Sequence, residues 1–410
     1  MKCGLVVLLA AALALSGCGR EERFAPGDTY RRISRPEVWR ALPYGQAETL
    51  GFEPGDLLIV YNREPVRSND AVVAAQARAS GAPSRIPVTV LRDGREVEFE
   101  VEPGPVGVMP VAARHPSGLA VALEDILRAL GMFADYDWLA ALTGESFTLA
   151  AAAGECRAWW SGGAAGSYLD DIALMAGFEL TRVYSLADGG NGRAAVRAAL
   201  DAGRHVLVRG GWPGHRGGFW GVAVRHDPEL DAVFGYTLDS AEEMPLAGGL
   251  AEAYVIEAGP GWDDADEVLA LVLNQALELG YAREGDGWET GLAAYDLLIT
   301  SLDTVPFCPV CGEGESPVCF GRLVWSMVAH KESAIRFLTA MREAAPDQAA
   351  LIDEIVGDLQ AQVGKLEGIA RSGARIGRLE DQRRIARVIA EIQVIENDLL
   401  GLYEQLLVAL

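Results

Sequence analysis

The chain is predicted to be a multidomain α+β protein: a small strand-rich unit, then a mixed α+β domain, then a helical C-terminal region. Three observations predict this. Short apolar runs separated by Gly, Pro, Asn and Asp fill positions 51 to 101. Between 119 and 258, helical spacing gives way to consecutive strand-like runs. From Asp263 onward, apolar residues recur at intervals of three and four. At 410 residues, two or three domains are expected, and 50% hydrophobic content supplies their cores.

Before the first domain, Lys2 supplies a positive start and Leu5 to Leu15 an unbroken apolar run. Leu15-Ser16-Gly17-Cys18 closes the run and resembles a bacterial lipobox. The resemblance implies a lipoprotein signal peptide over 1–17, a lipidated Cys18 and a linker over 18–29. An ordinary secretory signal with an incidental cysteine is the alternative. The run is too short to span a bilayer, which takes about 20 apolar residues. The expected location is therefore outside the cell membrane barrier, lipid-anchored to a bacterial membrane in the cell envelope. The net charge of -23 argues against nucleic acid as a partner, since no basic stripe is present to neutralise phosphates. It also argues against broad contact with anionic headgroups.

In the first domain, Pro54-Gly55 is turn chemistry and Leu57 to Tyr61 a strand. Asn62-Arg63-Glu64-Pro65 is another turn, and Ser68 and Asn69 are candidate caps for a helix over Asp70 to Arg78. Val88 to Leu91 and Val97 to Val101 read as a hairpin around Asp93-Gly94. Gly51-Phe52-Glu53-Pro54-Gly55-Asp56, followed by Asn62 and Pro65-Val66, resembles a PDZ domain of the bacterial HtrA-like type over residues 30–104. The resemblance implies a small β-barrel that binds extended peptide ends by strand addition. The family's Gly-apolar-Gly-apolar carboxylate loop is absent before Val38, where Tyr30-Arg31-Arg32-Ile33-Ser34 stands. Arg31, Arg32 and Ile33 are the candidate peptide-binding residues. A solvated linker, or a docking role for the domain, is the alternative.

Residues 104–116 read as a linker. After it, Val121, Leu123, Ile126, Leu127 and Leu130 form an apolar helical face that ends at Gly131. Leu169 to Met175 and Ala194 to Ala202 are further helices. Val206 to Val208 is a buried strand, and Phe219 to Val224 pairs with Ala232 to Tyr236 around Asp227-Pro228. Helices followed by strands, with Leu142-Thr143-Gly144-Glu145-Ser146-Phe147 and Ala199 to Val206, resemble the papain-like fold over 115–260. The branch is that of butirosin-biosynthesis-H-like and C39-like proteins. It implies a nucleophilic Cys at the start of the first helix, where the helix lowers the thiol pKa, and a His at the start of a later strand. Here Ser117-Gly118 occupies the first place and Gly218-Phe219-Trp220-Gly221 the second. His215 lies a few residues earlier, so Ser117 with His215 is a candidate dyad; a helix cap is the alternative for Ser117. Cys156, in Gly154-Glu155-Cys156-Arg157-Ala158-Trp159, is a second candidate nucleophile, against a disulfide or a buried thiol. His205 is expected at a strand edge. Trp159, Trp160, Trp212 and Trp220 line either a groove or the core.

Residues 261–345 read as a helical extension, with Cys308-Pro309-Val310-Cys311 and Cys319 in a Gly- and Pro-rich loop. With Cys156 they make four non-lipidated cysteines beyond the signal, which in an exported chain favours disulfides. Thiolate zinc, with Cys156 or His330 as fourth ligand, and redox chemistry are the alternatives. Residues 346–410 carry Ile352, Ile355, Leu359, Val363 and Leu366, then Ile385, Ile392, Leu399 and Leu406. This is a helical hairpin or coiled-coil arm that packs within the chain or on a partner. No phosphate loop, paired-His metal motif or dinucleotide fingerprint is present, so no cofactor is expected. The expected function is a non-catalytic, membrane-anchored binding or scaffold protein with a peptide or protein partner. The alternative is a papain-like hydrolase or acyltransferase.

Overall fold

The computed structural model describes residues 25, 27–41, 45–104, 106–152, 168–213, 219–238, 240, 242–260, 264–281, 288–303, 318–371 and 379–410. The described structure is 54% helical and 22% strand, in several antiparallel sheets, none of them closed. The α+β class is therefore seen, while the small barrel expected near the N-terminus is replaced by open sheets.

Helix α1 (Asp28–Ser34) opens the described chain. The Asp125 carboxylate accepts the amides of Gly27 and Thr29, the latter at 3.0 Å, satisfying donors that a helix start leaves open. Gly27 has φ 95 and lies against the Tyr236 ring, where any Cβ would collide. Tyr30 stacks on Tyr236 with centroids 6.3 Å apart, Ile33 is buried, and Arg31 Nε donates to the Tyr236 hydroxyl at 2.8 Å. The candidate peptide-binding residues Arg31, Arg32 and Ile33 all lie on this helix. Arg31 and Ile33 dock α1 onto the central domain, and Arg32 stands exposed on that helix.

Next come β1 (Val38–Ala41), α2 (Gln46–Leu50), β2 (Leu57–Tyr61), β3 (Glu64–Pro65), α3 (Asn69–Ala79), β4 (Ile86–Arg92), β5 (Arg95–Val101) and β6 (Val108–Pro110). One sheet has the order β3-β2-β4-β5, and β1 pairs antiparallel with β6. Asp93 and Gly94 both have positive φ, as a two-residue hairpin turn requires. Ser68 caps α3 by accepting the Ala71 amide at 3.2 Å. Asp56 is buried and receives Arg92 through Nε and Nη2, each at 2.7 Å, and the Glu53 amide at 2.9 Å. The Gly51-to-Asp56 segment is thus a turn locked by charge. The supposed linker 104–116 instead holds β6 and a 3-10 turn, Val111–Arg114, so this unit extends to Pro110.

The central domain contains α4 (Gly118–Ala129), α5 (Tyr136–Leu142), β7 (Ala150–Ala152), α6 (Leu169–Ala176), β8 (Phe178–Ser185), α7 (Gly192–Asp201), β9 (His205–Gly210), β10 (Trp220–Asp227), β11 (Ala232–Thr237), β12 (Met244–Pro245) and β13 (Leu250–Ala258). Its six-stranded antiparallel sheet has the order β12-β11-β10-β9-β13-β8. Side chains alternate between faces: Leu207 packs with Leu123 and Ile126 of α4, while Val206 and Val208 pack with Val196 of α7. Gly221 and Gly235 lie on neighbouring strands where a Cβ would come 2.7 Å from the Trp212 ring. Their missing side chains form the slot Trp212 fills. Trp212 and Trp220 are both core residues.

The C-terminal region comprises α8 (Ala265–Tyr281), β14 (Trp288–Thr290), α9 (Gly291–Ser301), α10 (Val318–Ala344), α11 (Ala349–Arg371) and α12 (Leu379–Ala409). Strand β14 pairs with β7, joining this region to the central domain. Helix α12 buries Ile385, Ile389 and Ile392 in one core and Leu399, Tyr403 and Leu406 in another. Of the two readings of 346–410, packing within the chain is the one seen. Lys331 of α10 is buried, and its Nζ donates to the Phe147 carbonyl at 3.0 Å and to Glu396 of α12 at 3.1 and 2.8 Å. Gln362 of α11 donates to the same carboxylate at 2.7 Å. The N-terminal unit is tied on by Arg40, which bridges Glu332 at 2.8 Å and Glu367 at 2.7 Å and lies 4.1 Å from the Trp39 ring.

Lys331→Met leaves the Glu396 carboxylate buried with only Gln362, and is expected to destabilise by about 3–5 kcal/mol in urea unfolding. Arg342→Ala, which breaks the exposed pair with Asp353, is expected to lose under about 1 kcal/mol. Equal losses would show that the buried pair has no special weight.

Candidate functional site

The N-terminus of α4 abuts the start of β10: a Cβ on Gly118 would lie 3.7 Å from the Trp220 carbonyl oxygen. At this junction Ser117 is fully buried. Its hydroxyl accepts the Ala120 amide at 3.1 Å, and its own amide donates to the Tyr136 hydroxyl at 3.0 Å. The cap is therefore the role observed for Ser117. Among the described residues this hydroxyl is sealed from solvent and held by the Ala120 amide.

A polar cluster surrounds the cap. The His115 ring lies 4.3 Å from the Tyr136 ring, with Nδ1 sealed and without a hydrogen-bond partner. Burial, followed by the charge of Arg114, pushes His115 down to about 3, so the ring stays neutral and is a poor proton acceptor. Burial also pushes the Tyr136 hydroxyl well above its usual range. Glu145, in the loop after α5, is buried with neither carboxyl oxygen in a normal hydrogen bond. Burial raises its pKa to about 7, offset in part by the Ser117 hydroxyl. Gln275 of α8 packs beside Gly144, and both its amide atoms also lack partners. Burial lifts Glu124 of α4 to about 7 as well, against the pull of Arg128.

The remaining histidines stand elsewhere. His205 begins β9, and burial lowers its pKa. His226 ends β10, six residues beyond Trp220 and so about 20 Å along the strand; its Nδ1 lies 3.0 Å from Asp201. His330 is buried in α10, where desolvation and then Lys331 push it down to about 3. His215, Cys18, Cys156, Cys308 and Cys311 lie outside the described residues, and Cys319 falls within α10. Among the described residues no group of three His, Cys, Asp or Glu is placed to hold a metal ion, and no helix is long and apolar enough to cross a membrane.

Sequence reasoning missed His115, Tyr136 and Gln275 and gave Glu145 no role. One signal for Glu145 was available: an acid inside the nearly uncharged run Leu142 to Ala153. No protein-family model matches the chain, and no curated protein matches it significantly.

Folded Glu145 holds its proton up to about pH 7, whereas the unfolded chain releases it near 4.5. The folded state thus binds more protons between these values, and stability falls as pH rises through them. Glu145→Gln removes that decline. The variant is expected to exceed the natural chain by up to ~3 kcal/mol at pH 8 and to match it near pH 4, in urea titrations. A gap independent of pH would refute the assignment.

Proposed function

We propose that this chain is a non-catalytic binding protein of the bacterial cell envelope, exported and lipid-anchored through Cys18. In this reading residues 30–110 are a PDZ-like unit and 115–260 a papain-like domain without a working nucleophile. One observation carries it: among the described residues, the Ser117 hydroxyl where α4 meets β10 is a sealed helix cap, and His115 close by is a desolvated, neutral ring. Helices followed by a six-stranded antiparallel sheet support the papain-like likeness.

The partner is an extended peptide end or protein segment. Among the described residues β6 is hydrogen-bonded to β1 alone, which leaves its second edge for strand addition. The segment before it reads Gly104-Pro105-Val106-Gly107-Val108, with φ 116 at Gly104 and φ 83 at Gly107. This glycine- and apolar-rich segment is a looser form of the Gly-apolar-Gly-apolar carboxylate loop, with two residues between its glycines, and it follows β1 to β5 instead of preceding them.

Two measurements on the full chain test the reading. Fluorescein-labelled peptides with free C-termini are expected to raise fluorescence polarisation, and amidation is expected to weaken binding at least tenfold. No difference between the two forms removes the peptide-end role. Alkylation of the unreduced chain at neutral pH, followed by mass spectrometry, is expected to show no fast, selective labelling of Cys156. Rapid labelling of that one thiol overturns the non-catalytic reading in favour of a thiol enzyme.

A further inference from the structure

Where α1 begins, the charge balance of this chain reverses. The whole carries -23, yet residues 18–35 hold five arginines against three acidic residues. Arg32 and Arg35 are exposed, while Arg31 is engaged by Tyr236 and by Glu243 at 3.6 Å. Arg32 lies close enough to Arg128 of α4 for their charges to repel, although Glu124 pairs with Arg128 and Glu37 lies near Arg32.

Beside these arginines, α4 ends in an apolar turn. Gly131 has φ 73, and the Met132 amide donates back to the Leu127 carbonyl at 2.9 Å. Met132 and Ala134 pack on the core, and Phe133 between them is 61% exposed. A single exposed apolar side chain is ordinary; the position of this one is not. The Gly27 and Thr29 amides rest on Asp125, two residues from Leu127. The Phe133 backbone therefore lies within about 15 Å of the point where the chain from Cys18 enters the fold. Cys18 precedes Ala25 by seven residues, a reach of about 25 Å at most.

We propose that the Phe133 turn and the Arg32 and Arg35 surface lie on an anionic phospholipid membrane, with Phe133 entering the boundary between headgroups and acyl chains. The proposal rests on the reading of Cys18 as a lipid anchor. Aromatic rings favour that boundary, and arginine charges are attracted to anionic headgroups over a Debye length. A lipid on a short tether leaves orientation open; a second contact close to the tether sets which face of the central domain points away from the membrane.

The test uses the full chain isolated from bacterial membranes and reconstituted in phosphatidylglycerol–phosphatidylcholine vesicles. The mass of the N-terminal peptide reads acylation of Cys18 separately. Phe133→p-benzoylphenylalanine is irradiated beside Leu230→p-benzoylphenylalanine, an exposed control whose neighbour Asp231 pairs with Arg197 of α7, on the opposite layer. The proposal expects at least fivefold more lipid adduct at 133, reduced by Arg32→Glu. With Cys18 acylated, equal adduct at both positions overturns it. If Cys18 proves unacylated, the anchor reading falls alone, and sedimentation with the same vesicles decides the surface. No sedimentation, or sedimentation unchanged by Phe133→Ser with Arg32→Glu, overturns the proposal; a loss of at least fivefold supports it.

Discussion

The buried Lys331–Glu396 pair is the constraint on which the rest of the structure depends. Two charges out of water are a net burden unless their remaining hydrogen-bond capacity is met. Here Lys331 Nζ reaches both carboxylate oxygens and the Phe147 carbonyl, and Gln362 completes the carboxylate. Apolar stripes repeating every three or four residues would let α10, α11 and α12 slide by a turn at modest loss. Only one register brings Lys331, Gln362, Glu396 and Phe147 together. Because Phe147 closes the loop that carries Glu145, the same contact also positions the carboxyl that faces Ser117.

Four of the five buried carboxyls among the described residues show how burial is resolved. Asp56 and Glu396 are met by cations, and Asp125 by the amides that open α1. Each joins elements far apart in sequence. Glu145 differs: it meets no cation and no amide, so it keeps its proton instead of a charge. A junction built of a capped serine, a neutral imidazole and a protonated acid is a packed support.

Much of the N-terminal unit was legible because its signals are local. Asp93-Gly94 demands positive φ, Ser68 supplies a cap oxygen, and Pro54-Gly55 forces a turn, whatever surrounds them. The central strands were legible for a similar reason: Val206 to Val208, buried on both faces, reads as a continuous apolar run. Residues 28–34 stayed open between a peptide site and a solvated linker because their partners lie far along the chain: Asp125 accepts the amides that start α1, and β1 pairs with β6. The candidate site was legible only as Ser117. The one local mark of Glu145 is the nearly uncharged run around it, which does not say what surrounds the carboxyl, since that environment is assembled from α4, α5 and the loop between α5 and β7.

By itself, the sequence determined the α+β class, the order of the three regions, the turns and caps, and the apolar stripes of the C-terminal helices. These follow from backbone sterics and from periodicities of two and 3.6 residues, which neighbouring residues enforce. Only the tertiary structure decided that α1 is a docked helix, that the last two helices fold back into the core, and that Ser117 is sealed. Those outcomes depend on which distant partner meets each buried charge, amide or ring, and no local window of sequence contains both members of such a pair.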